Sequence, residues 1–294
     1  MPLLGLLPAA TAALIANAPT RDRMPFGLLT IQPTFTVSDW NVATRVLDDF
    51  LGLARKEKGC SYCGYTRSLT SDKLFISEAF NSAESVVEHV QAYKTIKPAL
   101  SGAVSLERMQ LHGPADEIEK CISAMPAGTQ CFPTRAKPSG FSFFSKQTGG
   151  LMTAQTLCSL KPMLLISDWE KAETIMADYV ERAALEPGLI YCGWTSDEDS
   201  TRAFLRVAHS SADAVLEHLD NVGPCLEALL GPDGGATLEN IELHGPKAQV
   251  EKVRSAGTLL DGLNAEYYAT AGGFQKFECW SSYVAQPKRS IKFG

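Results

Sequence analysis

The sequence predicts an α+β protein made of two tandem copies of one β-α-β-β-α-β module, packed sheet against sheet. Three observations predict it: short blocks that recur at a fixed offset, one apolar stripe at helical spacing in each copy, and a pair of strand-length runs after each stripe. Ser38-Asp39-Trp40 returns 129 positions on as Ser167-Asp168-Trp169. Tyr62-Cys63-Gly64-Tyr65-Thr66 returns at the same offset as Tyr191-Cys192-Gly193-Trp194-Thr195, and Glu88-His89 returns as Glu217-His218. Leu111-His112-Gly113-Pro114 returns as Leu243-His244-Gly245-Pro246 at 132, and the added residues fall around Gly231-Pro232-Asp233-Gly234-Gly235, where a turn absorbs them.

Each copy opens on an extended segment, Leu28 to Phe35 in the first and Thr156 to Leu165 in the second. Ser38 or Asp39, and Ser167 or Asp168, then cap a helix, because a short side-chain oxygen accepts the unpaired N–H groups of the first turn. Ala43, Val46, Leu47, Phe50, Leu51 and Ala54 lie on one face of that helix, matched one for one by Ala172, Ile175, Met176, Tyr179, Val180 and Ala183. Gly59 and Gly188 end it. A hairpin follows, Cys60 to Arg67 with Lys73 to Phe80, and Leu189 to Ser196 with Arg202 to His209. A second helix starts at Ser82 or Ser211, and a fourth strand ends at His-Gly-Pro. Such a module covers one sheet face with helices and leaves the other bare, so two modules bury their bare faces on each other and enclose a cavity. The expected divisions are an N-terminal extension or targeting segment over 1–24, modules over 25–139 and 154–284, a linker over 140–153 and a tail over 285–294.

The 294 residues carry a formal net charge of -6, which gives no basic field for phosphates and argues against nucleic acid as a partner. A small neutral or weakly charged ligand fits better. The eight cysteines show no dense framework of a secreted disulfide scaffold, so free thiols in a reducing compartment, the cytoplasm or an organelle interior, are expected. Leu3 to Ala16 is nearly all apolar, and Ala16-Asn17-Ala18 resembles a cleavage site, but no Lys or Arg precedes the run and Pro8 interrupts it. No stretch has the ~20 residues of a membrane span. The expected form is a monomer with an internal pseudo-dimer.

The Tyr-x-Gly strand, Phe75-Ile76-Ser77-Glu78-Ala79-Phe80 and the helical Glu88-His89 together resemble antibiotic-biosynthesis-monooxygenase domains, ferredoxin-like modules of the dimeric α+β barrel superfamily. The resemblance covers about 80 residues of each copy. It implies a cofactor-independent monooxygenase, or a related cyclase, acting on a small aromatic or polyketide-like substrate. A histidine would deprotonate the substrate and the carbanion would meet oxygen directly. Tyr65, Trp194 and a polar row on the fourth strand would position the substrate. The alternatives are a non-catalytic small-molecule-binding or assembly module, and a haem protein with His89 or His218 as axial ligand.

Among candidate residues, His89 and His218 serve as base or ligand in one reading and as structural hydrogen-bonding groups in the other. On the fourth strand, alternation puts Met109, Leu111, Ile241 and Leu243 under the helices. Arg108, Gln110 and His112, with Asn240, Glu242 and His244, then face the cavity, or a solvated seam. His112 and His244 are the best ionisable candidates there. His209, unmatched in the first copy, is pocket or core, and Glu78 is a base if buried or an ion-paired carboxylate otherwise. Cys60-Ser61-Tyr62-Cys63 is set aside as a redox motif, since residues three apart on a strand face opposite ways. No zinc spacing, phosphate loop or nucleophile elbow appears, and no metal or cofactor is expected.

Overall fold

The computed structural model describes residues 22–25, 29–135, 141–144, 157–197, 199 and 201–275. The first half runs β1 (Asp22–Pro25), β2 (Leu29–Val37), α1 (Trp40–Ala54), β3 (Cys60–Ser68), β4 (Lys73–Phe80), α2 (Ala83–Leu100), β5 (Val104–Gly113), α3 (Ala115–Cys121), β6 (Gln130–Pro133) and β7 (Phe141–Phe144). The second runs β8 (Cys158–Ile166), α4 (Trp169–Ala183), β9 (Leu189–Ser196), β10 (Arg202–His209), α5 (Ala212–Leu230), β11 (Ala236–Gly245), α6 (Lys247–Ser255), α7 (Leu259–Gly262) and β12 (Glu266–Gln275).

The expected caps form. Asp39 accepts the N–H groups of Asn41 and Val42, and Asp168 that of Lys171. The buried stripe of α1 is the expected one, and α4 buries Ala172, Met176, Tyr179, Val180 and Ala183. The turn of the second copy passes through Gly235 at φ +74, where a Cβ would lie 2.5 Å from the Asp168 carbonyl oxygen, so only glycine fits against the cap of α4.

Each module forms an antiparallel sheet, β3-β4-β2-β5 and β9-β10-β8-β11, with its helices and an apolar core on the outer face. The two sheets join through strands that follow His-Gly-Pro. β12 lies parallel to β11, from Glu242↔Glu266 to Gly245↔Ala269, then continues antiparallel along β3 of the other module, from Tyr268↔Ser68 to Gln275↔Tyr62. β6 lies parallel to β5, Thr134 bridges to Thr195 of β9, and the Arg135 N–H donates to the Trp194 carbonyl at 3.1 Å. Each module thus hands its last strand to the other, and both seams of the barrel are hydrogen-bonded.

Two expectations change. Residues 140–153 are not all linker, because Phe141–Phe144 form β7, which pairs with β9 and with β1. β1 begins inside the 1–24 extension. The targeting segment, the remaining linker positions and the 285–294 tail lie outside the described residues. Among the described residues no helix is long and apolar enough to cross a membrane.

Pro33 and Pro162 occupy the same place in the two copies, mid-strand, where a proline removes a ladder hydrogen bond. Pairing of β2 with β4 accordingly passes from Ile31↔Glu78 to Thr34↔Phe75, and pairing of β8 with β10 from Leu160↔Val207 to Met163↔Phe204. Gln32 and Lys161 sit in these gaps.

Candidate binding site in the barrel lumen

Inward-facing residues of both modules enclose a cavity of about 80 Å³, lined among others by Gln32, Thr66, Phe75, Lys161, Arg206 and His244. Its charge comes chiefly from the second copy. Gln32 is the counterpart of Lys161, and Ser77 that of Arg206. Both cations are nearly sealed from solvent, at 3% and 1% exposure. Arg206 Nη1 donates to Thr30 Oγ1 of the other module at 2.8 Å. Lys161 Nζ lies 3.7 Å from the centre of the Phe75 ring and has no hydrogen-bond partner among the described residues. Burial pushes the Lys161 ammonium down to about 7; Glu242 opposes the shift, while Arg108 and Arg206 add to it.

Glu242 anchors the row on β11. Its Oε2 accepts from His244 Nε2 at 2.9 Å, and its Oε1 accepts from Asn240 Nδ2 at 2.8 Å and from Arg108 Nη2 of the first module at 3.2 Å. Burial disfavours this carboxylate, but His244, Arg108 and Lys161 prevail and hold it down to about 2. His244 is held down to about 4, first by burial and then by Lys161, so the ring is neutral. With its Nε2–H given to Glu242, its Nδ1 accepts from the Thr66 hydroxyl at 2.8 Å. Both nitrogens are therefore occupied.

His112 is its counterpart in the other seam. Its Nδ1 is 3.0 Å from Thr195 Oγ1, whose own proton goes to the Phe204 carbonyl at 3.2 Å. Nδ1 is therefore the donor and Nε2 an unprotonated lone pair, without a partner among the described residues. Burial, then Arg206, Lys161 and Arg108, keep this ring neutral well below the usual range. Its ring stacks on Phe132 as that of His244 stacks on Tyr268. Gln110, buried on β5 between β2 and β6, has neither side-chain polar atom hydrogen-bonded among the described residues.

Other candidates fall elsewhere. Tyr65 and Trp194 do not line the lumen: Gly64 and Thr66 on either side of Tyr65 do, and strand parity turns Tyr65 and its counterpart Trp194 outward. Tyr65 packs in the first helical core with its hydroxyl on Asp48, and Trp194 packs in the second against Tyr179. Glu78 is also on the helix side of its sheet, so it cannot touch a ligand in the lumen. It meets His89 Nε2 at 2.8 Å, and Glu57 meets His89 Nδ1 at 2.8 Å. Burial lowers the His89 imidazole, but Glu78 and Glu57 outweigh it and push it up to about 10. His218 has one carboxylate, Glu186, at 2.8 Å and the Tyr179 hydroxyl at 2.6 Å; there burial wins and drives it down to about 3. His209 is fully buried beside His218.

Sequence reasoning missed Lys161, Arg206, Glu57 and Glu186. A lone Lys inside the otherwise apolar Cys158–Ile166 strand, and an Arg at the same parity on Arg202–His209, were the legible signals. Glu57 and Glu186 recur at the same offset of 129 as His89 and His218, and that shared recurrence was the only sequence signal linking each carboxylate to its histidine.

No protein-family model matches the chain, and no curated protein matches it. Among solved structures, a candidate monooxygenase from Fusobacterium nucleatum matches with TM-score 0.53 at 10% identity, over 85% of this chain and 96% of its own. The fold is the dimeric α+β barrel. MupZ from Pseudomonas fluorescens matches with TM-score 0.35 at 24% identity, over 39% of this chain and 85% of its own. A haem-binding protein from Thermus thermophilus matches with TM-score 0.38 at 7% identity, over 76% and 92%. Identities this low speak for fold alone. The lumen does not fit a haem: its cavity of about 80 Å³ is far below the ~300–1,000 Å³ of cofactor pockets. His89 and His218, the expected axial ligands, have both nitrogens engaged beneath the helices.

Proposed function

We propose that the barrel lumen binds a small oxyanion, a carboxylate or an enolate of few atoms, between Lys161 and Arg206. The observation that carries this is Lys161 Nζ, sealed from solvent, without a hydrogen-bond partner among the described residues and lining a cavity that also holds a buried guanidinium. A cation so placed is costly unless an anion meets it. Size narrows the ligand, since a benzene-sized guest needs a cavity of about 150 Å³. An aromatic or polyketide-like substrate fits only if the cavity widens.

A catalytic form of this reading, a cofactor-independent monooxygenase or cyclase, is supported by the Lys161 amine titrating near 7. A base so tuned takes a proton from carbon beside a carbonyl, and Arg206 holds the resulting enolate oxygen. The enolate carbon then bonds to dioxygen, and the Lys161 ammonium returns its proton to give an α-hydroperoxide, which loses water to leave an α-dicarbonyl; in a cyclase the same carbon bonds to a second carbonyl of the substrate and water leaves. Calorimetric titration with formate and acetate, against acetone and acetamide, tests the binding. One anion per chain is expected, weakened tenfold or more by Lys161→Met and by Arg206→Met. Equal binding of the uncharged compounds, or unchanged binding by both variants, overturns it. Oxygen consumption with acetoacetate, which needs the widened cavity, and its loss in Lys161→Met test the catalytic form.

A further inference from the structure

Beneath the helices of the second module, apart from the lumen, three side chains from three elements converge. Glu186 lies in the turn after α4, His209 ends β10 and His218 lies mid-way along α5; one ligand atom of each falls within 4.8 Å of the other two. His218 Nδ1 is 2.8 Å from Glu186 Oε2, and His209 Nε2 is 3.8 Å from the same oxygen. His209 has no exposed surface, and neither of its ring nitrogens has a hydrogen-bond partner among the described residues. A buried imidazole with neither nitrogen hydrogen-bonded costs the fold free energy.

The first module supplies the comparison. Its counterparts are Glu57, Phe80 and His89, so where the cluster lacks a third donor the same backbone position is filled by a phenyl ring, 4.9 Å from His89. Packing therefore does not require a histidine at 209. The groups around the cluster are also those that orient ligands. Asn221 Nδ2 donates to Glu186 Oε1 at 2.8 Å, and the Tyr179 hydroxyl lies 2.6 Å from His218 Nε2. With Nδ1 turned to a cation, Nε2 carries the proton and donates to Tyr179, which fixes the tautomer.

We propose that Glu186, His209 and His218 bind one divalent cation of the zinc or iron(II) class. The cation takes the place of the proton between His218 Nδ1 and Glu186, and His209 completes the set. Two imidazoles and one carboxylate suit such borderline ions, whereas magnesium and calcium select oxygen donors. Three protein donors leave a position for water or a small anion.

The test is titration of chelator-stripped protein with Zn²⁺ and with Co²⁺, followed by calorimetry and visible absorption. Wild type takes up one ion per chain, and the Co²⁺ form shows d–d bands without thiolate charge transfer. His209→Phe, the residue the first module carries, keeps its circular dichroism and its lumen anion titration but loses 100-fold or more in Zn²⁺ affinity. Glu186→Gln loses comparably and carries the test alone if His209→Phe does not fold, while His244→Gln binds as wild type. No Zn²⁺ uptake by wild type, unchanged affinity in both site variants, or a thiolate band with Co²⁺ overturns the proposal.

Discussion

Arg108 Nη2 stands 3.2 Å from Glu242 Oε1, so the fourth strands of the two modules are tied together across the barrel by an ion pair. The neighbouring seam bonds repeat the theme: His112 reaches Thr195 of the second module, and His244 reaches Thr66 of the first. Replacing Arg108 by Met removes one charged donor from Glu242, which keeps His244 and Asn240. A loss of about 1.5–3 kcal/mol is expected. Urea denaturation should show one shifted cooperative transition; two separate transitions would mean that the modules fold independently.

Lys161 works against stability. Its folded-state value near 7 lies below that of a free lysine, so the unfolded chain binds more protons between about 7 and 10.5 and wild-type stability rises with pH across that window. Lys161→Met keeps the volume and removes the cost. It should be more stable than wild type by about 1–4 kcal/mol at pH 7, with the gap closing by pH 10. Paired denaturation curves at the two pH values check this, and a Met variant less stable at pH 7 contradicts it.

His89 has the opposite sign. Its folded value of about 10 exceeds the free one, so its stabilising effect is complete below pH 6.5 and is lost as pH rises through 10. His89→Gln leaves Glu57 and Glu78 facing each other and should cost about 3–5 kcal/mol at pH 6. The deficit should shrink at pH 10. A deficit independent of pH would show that the imidazole is not charged there.

Tyr65 was the aromatic residue expected to position a substrate, and its hydroxyl instead donates to Asp48 on the helix side at 3.1 Å. Tyr65→Phe should therefore cost about 1 kcal/mol of stability and leave anion binding in the lumen unchanged. Weaker acetate binding by this variant would restore the sequence expectation.

That contrast marks how far the sequence could be read. Recurring blocks with a constant offset gave the modules, because equal spacing forces equal register, and alternation on β5 and β11 correctly separated Leu111 and Leu243 from His112 and His244. Tyr65 and Trp194 were expected at the substrate, but parity turns them to the helix side, since Thr66 and Thr195 beside them reach His244 and His112 in the barrel. What sequence cannot carry is which sheet edge a strand joins: β6 and β12 lie beyond the His-Gly-Pro where the expected fourth strand of each copy ends, yet they close the barrel. Histidines drew the attention that Lys161 and Arg206 merited, because their charge matters only once both sheets face each other.

The most direct test of the lumen as an anion site is anomalous diffraction from crystals of this protein grown in bromide. A bromide peak is predicted inside the barrel, within hydrogen-bonding distance of Lys161 Nζ and near the Arg206 guanidinium, and absent in Lys161→Met. A lumen holding only water while bromide occupies surface positions would contradict the account.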